Sequence, residues 1–573
     1  MNFLGREVAG IHAAALILGT AGLASRILGV VRDRLLAARF GAGRELDMYN
    51  AAFNIPDLMA TLFLLGGATA AILPVFQRYA GRDREHARQF IAALAALFLV
   101  CATAVCIGAF FAAPWLMRFV VPGFPADERA MTATLTRIML ISPILLGLSG
   151  IFSVVVQSRK LFFVYALAPI LYNTGIILGI ALLSPRMGIA GVAVGVVAGA
   201  AMHALLQAGA SVALGFGPDL WGTLAHLRAR WELLGRDIGA VVLVAGPRVL
   251  AVSFAQITLL ALDALGSTLA PGSMAVLGFA QNLYFVPIGI FGVSYATAIF
   301  PRLVDYAAAR DGAEFVRELG EGVRSILFWA APCAALTIVL RAHVVRAALG
   351  AGIFSWDNTR LTAAVLAALA LAMVAGAVQT LLTRAFYALG NTWIPLTVNA
   401  AASLVSIGFA VFFVRAFVAH GRLAAAMTAL FRIADMPHPE AVGLGLGFAA
   451  GLVLDATALY VLVLFYARRS LGASVAPVVA DGVKIAAAAC LAGVVAYLVR
   501  INFSDAVPLI TWTRVVAEGA IAATAGFCVY FGALALAGSR DVALIRRAAA
   551  RRLFSLRILP LSWGTAGNED GVG

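Results

Sequence analysis

The sequence predicts an all-α, polytopic membrane protein with about fourteen transmembrane helices, arranged as two pseudo-symmetric six-helix lobes plus two extra helices. Three observations predict it. Only 12% of the 573 residues are charged, against roughly 25% in soluble domains. The chain is 62% hydrophobic, with a mean hydropathy of +0.96. Apolar stretches of the roughly 20 residues needed to span a bilayer recur from end to end, leaving no room for a sizeable soluble domain.

In chain order the spans fall near 11–38, 45–78, 89–113, 131–157, 162–183, 188–214, 237–265, 272–303, 322–340, 360–387, 393–418, 441–467, 478–499 and 512–537. Each is expected to be helical, because backbone in lipid must satisfy its own hydrogen bonds. A barrel is excluded, since the apolar runs are continuous rather than alternating. The 56 glycines suit close helix packing. No cleavable signal peptide is evident: the first apolar segment runs straight into "SRILGVVRDRLLAARFG".

Net charge is +14, nearly all from Arg; Lys160 and Lys484 are the only lysines. The arginines are scattered at span ends rather than gathered on one soluble face, which argues against nucleic acid. Arg78, Arg82, Arg84, Arg88, Arg159, Lys160, Arg228, Arg230, Arg236, Arg302, Arg310, Arg317, Arg324, Arg468 and Arg469 collect on one side. The positive-inside bias then places both termini in the cytoplasm and the 419–440 loop outside. Arg546, Arg547, Arg551 and Arg552 alternate with apolar residues in the tail, as in an interfacial helix or a basic unstructured end. Cys101, Cys106, Cys333, Cys490 and Cys528 lie in apolar runs without metal or redox spacing.

A weak internal duplication organises the chain. Ala71, Ile72, Pro74, Tyr79 and Ala80 recur as Ala298, Ile299, Pro301, Tyr306 and Ala307, at an offset of 227. Pro169 and Asn173 recur as Pro395 and Asn399, at an offset of 226. The expected organisation is an N-terminal lobe (1–214), a cytoplasmic linker (215–236), a C-terminal lobe (237–469), two further helices (470–537) and a basic tail (538–573). Two similar lobes are a transporter architecture, with the substrate site expected between them near mid-membrane.

Ionisable residues inside spans are costly and usually line a pathway. The first span carries Arg26, Arg32, Asp33 and Arg34; Asp47 and Asp57 begin the second; Arg248 and Asp263 lie in the seventh, Arg384 in the tenth and Asp455 in the twelfth. On a regular helix Arg32 points about 120° from Arg26, so a shared cavity requires a bend, for which Gly29 is placed. Guanidinium suits bidentate contact with phosphate oxygens. The bland alternative is internal ion pairing: Arg26 with Asp33 or Asp47, and Arg248 with Asp263. Arg34 and Arg39 read more simply as snorkelling residues, and Asp57, after Pro56, as the start of a helical segment.

The seven histidines are scattered, and no HExxH, Walker or GxSxG motif occurs, so neither an enzyme nor an ATP-driven pump is expected. Energy would come from an ion gradient, the membrane potential or the substrate gradient.

The first two spans contain SR-x-LG-x-x-RD, FGAG-x-x-x-D, F-x-x-P-(N/D)-L and a small-residue run ending in Pro. Together they resemble the MurJ/MviN family of lipid II flippases, within the larger group of multidrug and oligosaccharide-lipid exporters. "PRVLAVSFAQITLLALDALGSTLAPGS", "AQNLYFVPIGIFGVSYATAIFP" and "RAFYALGNTWIP" match later segments, so the resemblance covers nearly the whole chain. It implies a cationic cavity flanked by two lobes, with the last two helices bordering a groove for a polyprenyl tail. Arg26, Arg32 and Asp47 stand at the family's functional charges, and Asp33, Arg248 and Asn282 complete the expected substrate-binding set. Sodium coordination reported for the family makes Asp263, Asn399 and Asp455 candidate ion ligands. Two departures stand out. Ala60 and Thr61 replace an arginine pair, and Asn282 replaces an arginine of the eighth span.

These readings make the chain a multi-pass protein of the bacterial cytoplasmic (inner) membrane. It would act as a monomer and move lipid II or a similar polyprenyl-diphosphate glycolipid from inner to outer leaflet. Membrane lipids would be its surroundings, nucleic acid no partner, and a monovalent cation, Na+ or H+, its coupling ion, with no other cofactor. The competing readings are a related multidrug or cation antiporter and a non-transporting envelope scaffold.

Overall fold

The structure is a computed structural model that describes residues 11–81, 83–217, 253–472, 479–504 and 511–555, with residues 235 and 239. Among the described residues there is no strand. The helices are α1 Ile11–Phe40, α2 Arg44–Ala80 and α3 Arg84–Val120. There follow α4 Ala126–Ser158, α5 Phe162–Met187, α6 Ile189–Ala213, α7 Ser253–Gly266, α8 Ser273–Ala308 and α9 Gly312–Val339. The short α10 Arg341–Leu349 precedes α11 Trp356–Ala370, α12 Met373–Ala388, α13 Trp393–Val418 and α14 Arg422–Phe431. Last come α15 Ala441–Leu471, α16 Val479–Ser504, α17 Trp512–Leu536 and α18 Arg540–Ser555.

Among the described residues ten helices are long and apolar enough to cross a membrane, and α11 with α12, bent by 46° at the break between them, pass the same test as a pair. With α1, α2 and the stretch ending in α7, they are the segments that hydropathy marks in the sequence. Large apolar side chains such as Phe111, Leu205, Leu404 and Leu536 face outward, as a protein dissolved in lipid requires.

The chain forms two compact units from discontinuous segments. The first comprises residues 1–286, 344–372 and 390–459, and so draws on both halves of the sequence duplication; the second comprises residues 287–343, 373–389 and 460–573. Lipid tails are as apolar as leucine, so tight van der Waals packing rather than water exclusion must hold such helices together. In the first unit α5 and α6 achieve it with glycine. A Cβ on Gly175 would lie 2.2 Å from the Gly199 Cα, and one on Gly199 would lie 2.3 Å from the Tyr172 carbonyl oxygen. In the second unit, Phe328 of α9 packs with Ile485, Ala489 and Ala492 of α16 and with Tyr530 and Leu534 of α17. The tail helix α18 is tied to this unit through Asp541, 3.3 Å from Arg324 Nε. Tail residues beyond Ser555 lie outside the described residues.

Three prolines inside spans, Pro56, Pro114 and Pro332, share one device. Each removes an N–H and strips the carbonyl four residues earlier of its helical partner, which in lipid costs several kcal/mol if unmet. Behind Pro56, the Ala52 carbonyl accepts from Thr136 Oγ1 at 3.2 Å. Behind Pro114, the Phe110 carbonyl accepts from Arg137 Nε at 2.9 Å. Behind Pro332, the Phe328 carbonyl accepts from Tyr530 Oη at 2.6 Å. The helices therefore run on through these residues. In particular, α2 is continuous from Arg44 to Ala80, so Asp57 sits in mid-helix and does not start a new segment.

Candidate functional site

The first unit holds a polar cavity of about 260 Å³, walled by α1, α2, α7 and α8. Arg32 and Asp33 lie on its α1 wall. Adjacent residues do not share a helix face, so the guanidinium folds back along the helix. Its Nε and Nη2 reach Asp33 Oδ1 at 2.9 and 2.8 Å. Its Nη1 donates to Asn173 Oδ1 of α5 at 3.3 Å. The other Asp33 oxygen accepts from Asn282 Nδ2 of α8 at 2.9 Å. Asn282 thus serves the carboxylate and adds no second positive charge.

Opposite this network, Asp263 of α7 accepts from Asn54 Nδ2 of α2 at 2.8 Å. Asp57 also lines the cavity, and no partner for its carboxylate is found among the described residues. Three carboxylates therefore face one guanidinium in this cavity, with Asn50, Gln256 and Gln281 as further polar lining.

Arg26 stands elsewhere. Its Nη1 donates to the Val286 carbonyl at 2.9 Å. Its side chain lines a second cavity of about 470 Å³ between α1, α4, α5 and α6. Asn173 connects the two arginine environments: it accepts from Arg32 and donates to the Pro169 carbonyl at 3.2 Å and, at 3.4 Å, to the Ser25 hydroxyl beside Arg26. Arg26 forms no pair with Asp33 or Asp47. The helix does not bring both arginines into one chamber.

Asp47, 1% exposed, lines neither cavity. It accepts from the backbone N–H groups of Gly272 at 2.6 Å and Ala275 at 2.8 Å, capping the first turn of α8. Gly272 is required there, with φ +93° and a would-be Cβ 2.1 Å from the Ala42 carbonyl oxygen. Arg34 is likewise not a simple snorkelling residue. Its Nη1 donates to the Ala347 carbonyl at 2.8 Å, at the C-terminal end of α10, where a cation meets the negative end of the helix dipole.

Asn399 of α13 and Asp455 of α15 lie side by side; with its amide nitrogen turned to the carboxylate, Asn399 donates to both oxygens at 3.0 and 2.9 Å. Asp263 is held by Asn54 rather than joining this pair. Among the described residues no three His, Cys, Asp or Glu side chains gather as metal ligands. Arg248 lies outside the described residues, as does most of the 215–236 linker. Sequence reasoning passed over Asn54, used Asn173 only as a mark of the duplication, and read Asp57 as a helix start. Its one available signal was the polar spacing Asn50, Asn54, Asp57 in an otherwise apolar span.

Comparison with known proteins matches residues 36–516 to the family model described as lipid II flippase MurJ. The probable lipid II flippase MurJ of Borreliella burgdorferi is 28% identical over 345 residues, covering 60% of this chain and 66% of the relative. The chain thus spans just under two thirds of that relative's length. Among solved structures, a lipid II flippase MurJ in an inward closed conformation superposes with a TM-score of 0.69 at 21% identity, covering 91% of this chain and 98% of that one. An inward-facing multidrug resistance MATE family transporter of the MOP superfamily gives 0.62 at 14% identity, covering 80% and 98%. These structures share the fold, a multi-pass helical membrane fold. The chain belongs to the MurJ family of lipid II flippases, bacterial inner-membrane transport proteins.

Proposed function

We propose that this protein carries lipid II, or a closely similar polyprenyl-diphosphate glycolipid, from the inner to the outer leaflet by alternating access. One observation carries the reading beyond family membership: Arg32 lines a polar cavity inside a membrane-spanning bundle, held between Asp33 and Asn173. A guanidinium stays charged in an apolar setting and offers five N–H donors in a planar fork. Three are used here; an entering diphosphate would compete for them with Asp33. Movement of this chemistry needs no bond to be made or broken, so the role is transport rather than catalysis.

Asp455 with Asn399, and Asp263 with Asn54, are the two places for a coupling cation, Na+ or H+. Each offers hard oxygen ligands or a protonatable carboxylate. In this reading both termini face the cytoplasm, supported by the arginine-rich loops of one side, and a single chain is the working unit. Depletion in cells tests the function: lipid II should accumulate in the inner leaflet and return to normal on re-expression. Unimpaired peptidoglycan synthesis without the protein would remove the reading.

A second reading, export of an organic cation, rests on the carboxylates Asp33, Asp57 and Asp263 that surround Arg32. Efflux of cationic dyes that depends on Asp57 would favour it over the flippase.

A further inference from the structure

The second cavity, lined by Arg26, has no role in the account above. It carries one feature that demands a ligand. Gln207 of α6 is 0% exposed and lines the cavity. Neither its amide nitrogen nor its amide oxygen has a hydrogen-bond partner among the described residues. Buried amides are nearly always paired, and this one offers a donor and an acceptor side by side. The neighbours are chemically specific. Arg26 supplies a cation; Tyr165, 38% exposed, supplies an aromatic face. Ser153 and His203 supply polar edges, His203 being fixed through Nδ1 by Ser149 Oγ at 2.7 Å. At about 470 Å³ the cavity is within the size range of small-molecule sites.

We propose that this cavity is a saccharide site that takes a pyranose bearing a phosphate. The Gln207 side chain turns into the cavity as the ligand enters, and adjacent ring hydroxyls then satisfy both halves of its amide, one donating to Oε1 and the next accepting from Nε2. The apolar face of the ring lies on Tyr165. The phosphate meets the free N–H groups of Arg26, a pairing for which guanidinium is suited. The proposal deepens the translocation reading and rests on it for its physiological ligand. It assigns the sugar nearest the diphosphate to the α1–α4–α5–α6 cavity, with Asn173 and Ser25 joining it to the Arg32 cavity.

The test is calorimetric titration of the purified full-length protein with N-acetylglucosamine 1-phosphate, and separately with N-acetylglucosamine and with inorganic phosphate. The sugar phosphate should bind at least tenfold more tightly than either fragment. Gln207→Leu should lose tenfold or more of that affinity while unfolding at a temperature no lower than wild type, because it removes an unpaired buried amide. Gln207→Met serves as the second variant if the leucine form inserts poorly. Tyr165→Ala should weaken binding several-fold. Equal affinity for phosphate alone, or unchanged sugar-phosphate affinity in both Gln207 variants, would overturn the site. These outcomes are read independently of lipid II depletion, whose failure would overturn the flippase reading and leave sugar-phosphate binding to be judged on its own.

Discussion

Asn173 and Asn399 hold matching places in the two halves of the sequence, each four residues after a proline, and they meet opposite charges. Asn173 accepts from the Arg32 guanidinium. Asn399 donates to the Asp455 carboxylate. A carboxamide carries both a donor and an acceptor, so a duplicated residue needs no change to serve either sign. The difference comes from neighbouring helices: α1 brings an arginine to the first copy, α15 an aspartate to the second. One copy thereby meets a guanidinium and the other a carboxylate, an asymmetry on which the proposed coupling of a cation to an anionic lipid would draw.

The largest effect should come from Arg32. Arg32→Ala strands a carboxylate whose side chain is 8% exposed. Removing one member of a buried pair costs about 3–5 kcal/mol, so both complementation and thermal stability in detergent should fall. Adding Asp33→Asn should recover most of the stability without the activity. Recovery of both would reduce Arg32 to an ion-pair partner and erase the contrast with the second half. Next is Asp455→Ala, which leaves the Asn399 amide bare at about 1–3 kcal/mol. Flipping in vesicles by that variant should lose its dependence on the Na+ or H+ gradient. A wild-type gradient dependence would end the cation assignment.

Asp47 sharpens the comparison from outside it, because it lies close to Arg32 in sequence yet its hydrogen bonds go to backbone N–H groups, with Arg44 a looser 3.9 Å away. Asp47→Ala should cost about 1–2 kcal/mol, the worth of a helix cap, with flipping per folded molecule retained. Lost flipping at unchanged unfolding temperature would return Asp47 to the substrate path. The smallest effect belongs to Asp435, between α14 and α15, whose carboxylate is 67% exposed and accepts from Arg360 Nη1 at 2.6 Å. Arg360 hydrogen bonding holds the Asp435 carboxyl down at about 2. A carboxyl held below its unfolded value of about 4 stabilises the fold above that value, and the contribution is lost as pH falls from 4 towards 2. Asp435→Asn should therefore change the unfolding temperature slightly at neutral pH and remove that step from the acid titration. Salt should shrink the difference, since exposed pairs are screened.

The spans were legible because hydropathy is local: a run such as 89–113 has to be solvated by lipid whatever surrounds it. Arg32 and Asp33 were legible because charge inside a span is too costly to keep without a use. Asn399 and Asp455 came forward as ion-ligand candidates through the family resemblance alone; that they touch each other and not Asp263 was not legible. What the other charged residues touch was not legible either. The residue that links the Arg26 and Arg32 environments is Asn173, more than 140 positions away in the chain. The cap that takes Asp47 lies 225 positions on, at Gly272.

By itself, then, the sequence determined the solvent, the number of crossings and which side chains are too expensive to be idle, since each follows from the transfer of short segments into hydrocarbon. Only tertiary structure decided which carboxylate answers which guanidinium, which side chain meets the carbonyls behind Pro56, Pro114 and Pro332, and that Gln207 stays unanswered. Hydrogen bonds reach about 3 Å, and only folding brings residues from distant helices within that range.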